Sequence, residues 1–308
     1  MTDRFRLVTR SDMDGLVCAV LFNELKMIND IKFVHPKDMQ DGKIEINNQD
    51  ITTNLPYVPG VHLAFDHHSS EVLRNAEYDN HIIDPKAPSA ARVVFDYYGG
   101  FTRFPNISAE MMAAVDKADS AQFSKQDILE PQGWELLSFL MDARTGLGRF
   151  RTFRISNYQL MMNLIDYCRN HTIDEILQLP DVKERVDLYF DHEPKAREQI
   201  QRCSTVHQNL AVLDLRDEET IWATNRFMIY ALFPETNISI HRMWGLQKQN
   251  TVFATGKSIL NRTAKTNIGA LMLEYGGGGH ENAGTCQIAN HRADVVLAEL
   301  IARINQDG

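Results

Sequence analysis

The 308-residue chain is 44% hydrophobic and 24% charged, with a formal net charge of −9 at pH 7. Those proportions describe a globular protein of one large domain or two ordinary ones, and the acidity argues against a grip on long duplex DNA. No apolar run nears the roughly 20 residues that span a membrane; the polar opening MTDRFRLVTR is unlike a signal peptide; and four scattered cysteines without a CxxC pair point to a reducing, cytoplasmic setting.

In chain order, RFRLVT (4–9) reads as a strand and Leu16–Met27 carries apolar residues at helical spacing. IKFVH (31–35) and VHLAF (61–65) are further strands, and PSAARVVFDYY (88–98) is a helix. Strand–helix–strand alternation predicts βαβ units in a mostly parallel sheet, whose chemistry sits at the carboxyl ends of the strands. The residues after RLVT and after HLAF are therefore expected on one rim. From Ser108 to His207 the pattern is mainly helical, with Met111–Lys117, Trp134–Asp142, Asn157–Cys168 and a charged Glu184–Gln208 as the better segments. Alternation resumes with LAVLDL, a helix at Arg226–Phe233, ISIHRMW, TVFATGKSIL, a helix at Ile268–Tyr275 and TCQI. The expected architecture is α/β throughout: a parallel-sheet N-terminal domain with a helical extension (1–195), a helical linker (196–209) and a smaller α/β C-terminal domain (210–308).

Three stretches carry chemistry. In TRSDMDG (Thr9–Gly15), Asp12 and Asp14 leave a strand with a glycine next. They suit either a metal at a strand-to-helix turn or a helix N-cap, where a carboxylate meets the helix dipole. In FDHHSSE (Phe65–Glu71), two histidines end an apolar strand: one imidazole can bind a metal, its neighbour can meet a phosphate, and Asp66 can orient a ring. A plain surface turn is the other reading. In EYGGGGHENAGT (Glu274–Thr285), four glycines let backbone amides approach an anion, with His280 directly behind them; a flexible linker is the alternative. His35, His62 and His81 lie in or near strands and read as structural. Tyr57, Tyr275 and Trp244 are the aromatic candidates for stacking on a base.

SDMDG, DHHSSE and GGGGHENAG, in this order and at these separations, resemble the DHH phosphoesterase superfamily with its C-terminal associated domain, in the exopolyphosphatase-like branch that is similar to nano-RNases and cyclic-dinucleotide phosphodiesterases. The resemblance covers nearly the whole chain, with further echoes in TNLPYVPG, DPKAPSAA and GKSILNRT. It implies a phosphohydrolase that uses Mn²⁺, with Co²⁺ or Mg²⁺ as substitutes. The implied substrate is small and phosphate-bearing: polyphosphate, a short oligonucleotide or a cyclic dinucleotide. A homodimer stays open. A non-catalytic nucleotide or phosphate sensor on a degenerate site is the rival reading. Asp12 and Asp14 stand at metal-binding aspartates, His67 at the metal-binding histidine and His68 at the one facing phosphate. Asp119 in VDKADSAQF matches the aspartate that closes the metal site, with Asp116 as the lesser choice. Gly277, Gly278, Gly279 and His280 match the phosphate cradle, with Arg262 as a nearby cation.

Two departures matter. Arg10 or Val8 stands where the family has an extra ligand, and the second-motif carboxylate is replaced by Asn54, with Asp50 as the alternative. Two like unit charges ~4 Å apart cost about 4 kcal/mol at an effective dielectric of 20, and doubly charged ions more. A lost carboxylate and a gained guanidinium therefore lead us to expect one well-held ion at Asp14, His67 and Asp119, with Arg10 supplying part of the electrostatic work on the substrate.

Overall fold

The computed structural model describes residues 4–68, 71 and 78–308; Ser69 and Ser70 of the DHHSSE stretch lie outside them. The chain divides into two compact units, Met1–Gln122 with Pro131–Asp187, and Phe123–Glu130 with Leu188–Gly308. Among the described residues, no helix is long and apolar enough to cross a membrane.

The first unit is built on a sheet of β1 (Phe5–Arg10), β2 (Ile28–Val34), β3 (Asp50–Thr53), β4 (Leu63–Asp66) and β5 (His81–Ile83), in the order β2-β1-β3-β4-β5. All its pairs are parallel. The Met13–Glu24 helix is buried continuously from Met13 to Phe22, as an apolar run between a sheet and other helices should be. Its Phe22 ring meets Phe65 of β4 edge-on at 5.7 Å. β3 and β5 were not expected from the sequence. They are four and three residues long, too short to show an alternating pattern. The helical stretch between the two sheets is as expected, with helices at Ala109–Asp119, Gly133–Met141, Asn157–Asn170 and Pro180–Cys203.

The second unit carries a mixed sheet of β6 (Ser204–His207), β7 (Leu210–Asp214), β8 (Ile238–Trp244), β9 (Thr251–Lys257), β10 (Gly278–His280) and β11 (Ala283–Ile288), in the order β10-β11-β9-β8-β7-β6. Only β7 and β8 run parallel; the other pairs are antiparallel. One face packs Leu210, Ile238, Ile240 and Phe253 against the Ile268–Glu274 and Ala293–Asp307 helices. Two expectations change here. The helix expected over 184–208 ends at Cys203, and the STVH segment, rich in β-branched residues, pairs with β7 instead. The glycine run is not a bare loop either: Gly278–His280 form an edge strand against β11.

Candidate functional site

Because β1, β3 and β4 run parallel, their carboxyl ends open on the same edge of the sheet. Thr9 pairs with Thr53 and Thr53 with Phe65, so Arg10, Asn54 and Asp66 follow side by side. The Thr53 hydroxyl donates to Thr9 Oγ1 at 2.7 Å and pins the two strand ends together. The turn into the Met13–Glu24 helix needs Gly15, since a Cβ there would stand 1.9 Å from the Arg10 carbonyl oxygen. That close turn lays the first helical residues, Asp14 among them, over the strand ends.

Asp14 is 1% exposed. Its oxygens accept from the Ala90 and Ala91 backbone amides at 3.0 and 2.7 Å, the first N–H groups of the Ala90–Tyr97 helix. His67 leaves β4 with Nδ1 3.2 Å from the Ala87 carbonyl oxygen. That contact commits Nδ1–H to the carbonyl and turns Nε2 the other way. Nε2 lies 2.8 Å from Asp119 Oδ2, at the last residue of the Ala109–Asp119 helix, without the alignment of a hydrogen bond. Ligand atoms of Asp14, His67 and Asp119 all fall within 4.8 Å of one another.

The electrostatics call for a cation. Burial, then Asp119, then Asp12 push the Asp14 carboxyl well above the usual range. Burial alone would lower the His67 imidazole, but Asp119, Asp14 and Asp66 outweigh it and raise it to about 9. Asn54 adds a second sign: it is 2% exposed, its amide nitrogen and oxygen are both unpartnered, and its backbone is left-handed at φ 54. Leaving a buried amide unsatisfied costs about 1–3 kcal/mol. Close carboxylates, an imidazole whose Nε2 faces them and would exchange its proton for an ion, and an orphaned amide oxygen fit a divalent cation, for which oxygen and imidazole are suitable donors.

The other expected residues divide. Asp12 stays outside the converging triad: Oδ1 caps the helix by accepting from Gly15 N at 3.0 Å, and Oδ2 lies 2.8 Å from Arg10 Nε. The N-cap reading of this stretch is therefore realised, with Arg10 paired to the capping carboxylate. Asp66 Oδ1 takes His68 Nδ1 at 2.7 Å and the His67 amide at 2.8 Å, which makes it the residue that orients the pair. Asp50 begins β3, at the opposite end from Asn54, and is held by Arg6 at 2.7 Å. In the second unit, Gly278–His280 are exposed, and exposed Arg262 directs Nε to the Ile259 carbonyl at 3.0 Å. Of the aromatic candidates, Tyr57 is stacked between Tyr78 and His81 at 4.7 and 4.8 Å, Tyr275 bonds Glu299, and Trp244 donates to the Arg216 carbonyl.

Sequence reasoning passed over Ala90, Ala91, Ser89 and Arg92. The amides of a helix N-terminus have no side-chain signature. The available signals were the DPKAPSAA echo and the PSAAR segment itself, a serine at an N-cap position after a proline.

No protein-family model and no curated protein matches the chain. Among solved structures it is 64% identical to PggH, a pGpG-specific phosphodiesterase from Vibrio cholerae, over 99% of this chain and 100% of that one, at a TM-score of 0.89. CDC45 from Entamoeba histolytica shares the fold at 8% identity, over 98% and 95% of the two chains, at a TM-score of 0.51. With that full-length likeness to a phosphodiesterase, and with its DHH residues gathered at the strand ends, the chain belongs to the DHH phosphoesterase family.

Proposed function

We propose that this protein hydrolyses the phosphodiester bond of a short guanine dinucleotide, pGpG, using one divalent metal ion held by Asp14, His67 and Asp119. The observation that carries the reading is the convergence of those three side chains at the carboxyl ends of β1 and β4, in a chain 64% identical to a pGpG-specific phosphodiesterase. Mn²⁺ suits this set, since carboxylate oxygens fit a hard ion and the imidazole adds affinity without charge, with Co²⁺ or Mg²⁺ as substitutes.

When bound, the ion acidifies water and polarises the phosphoryl group. The chain's own residues supply the rest. The Ala90 and Ala91 amides keep Asp14 in one rotamer, and the Ala87 carbonyl keeps the His67 ring in one tautomer. Asp66 fixes the His68 ring through Nδ1, and as an imidazolium that ring donates from Nε2 to a phosphate oxygen. Arg10 lies against Asp12, with Nε 2.8 Å from Oδ2, and its guanidinium can balance charge on the non-bridging oxygens. The exposed glycine strand and Arg262 of the second unit offer main-chain and guanidinium donors of the kind that bind phosphate.

The test is turnover of pGpG by the full chain with Mn²⁺, Co²⁺ or Mg²⁺, followed by chromatography of the nucleotide products. Conversion to GMP is expected. Thermal stabilisation by pGpG without turnover under any of the three metals would overturn the reading in favour of a sensor.

A further inference from the structure

Asp14 and Asp119 come from different helices, and a metal site works only if the distance between them is held. We propose that Ser89, Arg92 and Asp116 form a bracket that sets this distance and thereby the affinity for the ion; the proposal rests on the metal reading above. The Ala90–Tyr97 helix is the bracket's anchor. Its first two amides grip Asp14. Its N-cap, Ser89, is fully buried, accepts from the Arg92 amide at 3.0 Å and donates its hydroxyl to Asp116 Oδ1 at 2.8 Å. One turn on, Arg92 directs Nε to Asp116 Oδ2 at 3.0 Å and reaches the same oxygen with Nη2. Both Asp116 oxygens are thus held by that one helix.

Asp116 stands one turn before Asp119 on the Ala109–Asp119 helix. Three residues of helix rise about 4.5 Å, so a rigid turn transmits the position of Asp116 directly to Asp119. The same element therefore locates one metal carboxylate through its backbone and the other through its serine and arginine. Phe95, 5.2 Å below the Arg92 guanidinium, supports the plane of the fork. A lysine would keep the charge and lose the fork geometry. These three are positioning residues: none belongs to the converging ligand set.

The bracket differs from an ordinary ion pair in what it controls. A surface ion pair adds little to stability, and its loss would leave metal affinity where it was, whereas the Arg92–Asp116 pair is mostly buried, at 25% and 18% exposed. The experiment is calorimetric titration of Mn²⁺ into the chelator-stripped full chain, comparing wild type with Asp116→Asn and Arg92→Lys, beside thermal melts without metal. Both variants are expected to bind Mn²⁺ about 10–100-fold more weakly, including at temperatures well below the metal-free melting point, where each variant is still folded. Activity should saturate at correspondingly higher Mn²⁺ and return to within a few-fold of the wild-type plateau. Arg92→Lys keeps the test alive if Asp116→Asn does not fold. Wild-type affinity in both variants would overturn the bracket alone. A wild-type chain that takes up no divalent ion would overturn the metal reading along with it.

Discussion

At the scale of single residues, the site sets charge against burial. Asp14 sits among carboxylates with its own oxygens already bonded to backbone, an arrangement that a cation relieves. Replacing Asp14 or His67 by alanine removes a ligand outright. Since outer-shell partners alone are worth 10–100-fold, we expect each variant to lose more than ~100-fold of Mn²⁺-dependent pGpG turnover, while far-UV circular dichroism keeps the native spectrum. Undiminished turnover in either would contradict the ligand assignment. The glycine run allows a finer separation. A Cβ on Gly277 would stand 2.1 Å from the Thr285 oxygen and one on Gly279 2.2 Å from the Ala283 oxygen, so the fold itself demands glycine at both. A Cβ on Gly278 meets nothing within 4 Å. Gly278→Ala should therefore melt like wild type, and any loss of kcat/KM reports on the substrate side. Gly277→Ala and Gly279→Ala should lower the melting point, because backbone must move. A Gly278→Ala protein that is destabilised as much as those two would refute the division.

At the scale of elements, what could be read in advance follows from how local each signal is. SDMDG and DHH were legible because their residues are contiguous and end strands with clear apolar patterns. β3 and β10 were not: one is four residues long and the other is mostly glycine, which carries no side-chain periodicity. The Ser89–Asp116 contact spans 27 positions, and nothing in either segment announces the other. Charge proved less legible than pattern. ISIHRMW was readable as a strand, yet not the state of its histidine. In β8 burial lowers the His241 imidazole from 6.5 to about 4. The unfolded chain takes up a proton near pH 6.5 that the native strand refuses, so stability falls as pH drops below about 6.5 and keeps falling until about 4. Between pH 6.5 and 5 this one group costs on the order of 2 kcal/mol. Urea denaturation of wild type and His241→Leu at pH 7.5 and 5 should show the acid loss shrinking by about that amount in the variant. Equal losses in the two proteins would show the ring to be solvated.

At the scale of the whole molecule, the two units carry separate cores. Leu210, Ile240, Phe253 and Leu300 close the core of the second, whereas Asp14, His67 and Asp119 all belong to the first. A ligand that binds only the native state stabilises it by about 2.7 kcal/mol at a hundred times its dissociation constant. For a unit of 150–250 residues that amounts to a rise of ~5–10 °C. Calorimetry of the full chain should then resolve two transitions, only one of which rises with Mn²⁺ and falls back with chelator. In Asp14→Ala that transition should no longer respond, while the other keeps its wild-type temperature. The chain passes between the units at Gln122–Phe123, at Glu130–Pro131 and, within the Pro180–Cys203 helix, at Asp187–Leu188. A single transition that moves as a whole with Mn²⁺ would mean that the two units unfold together, and the separate-core argument would then fail.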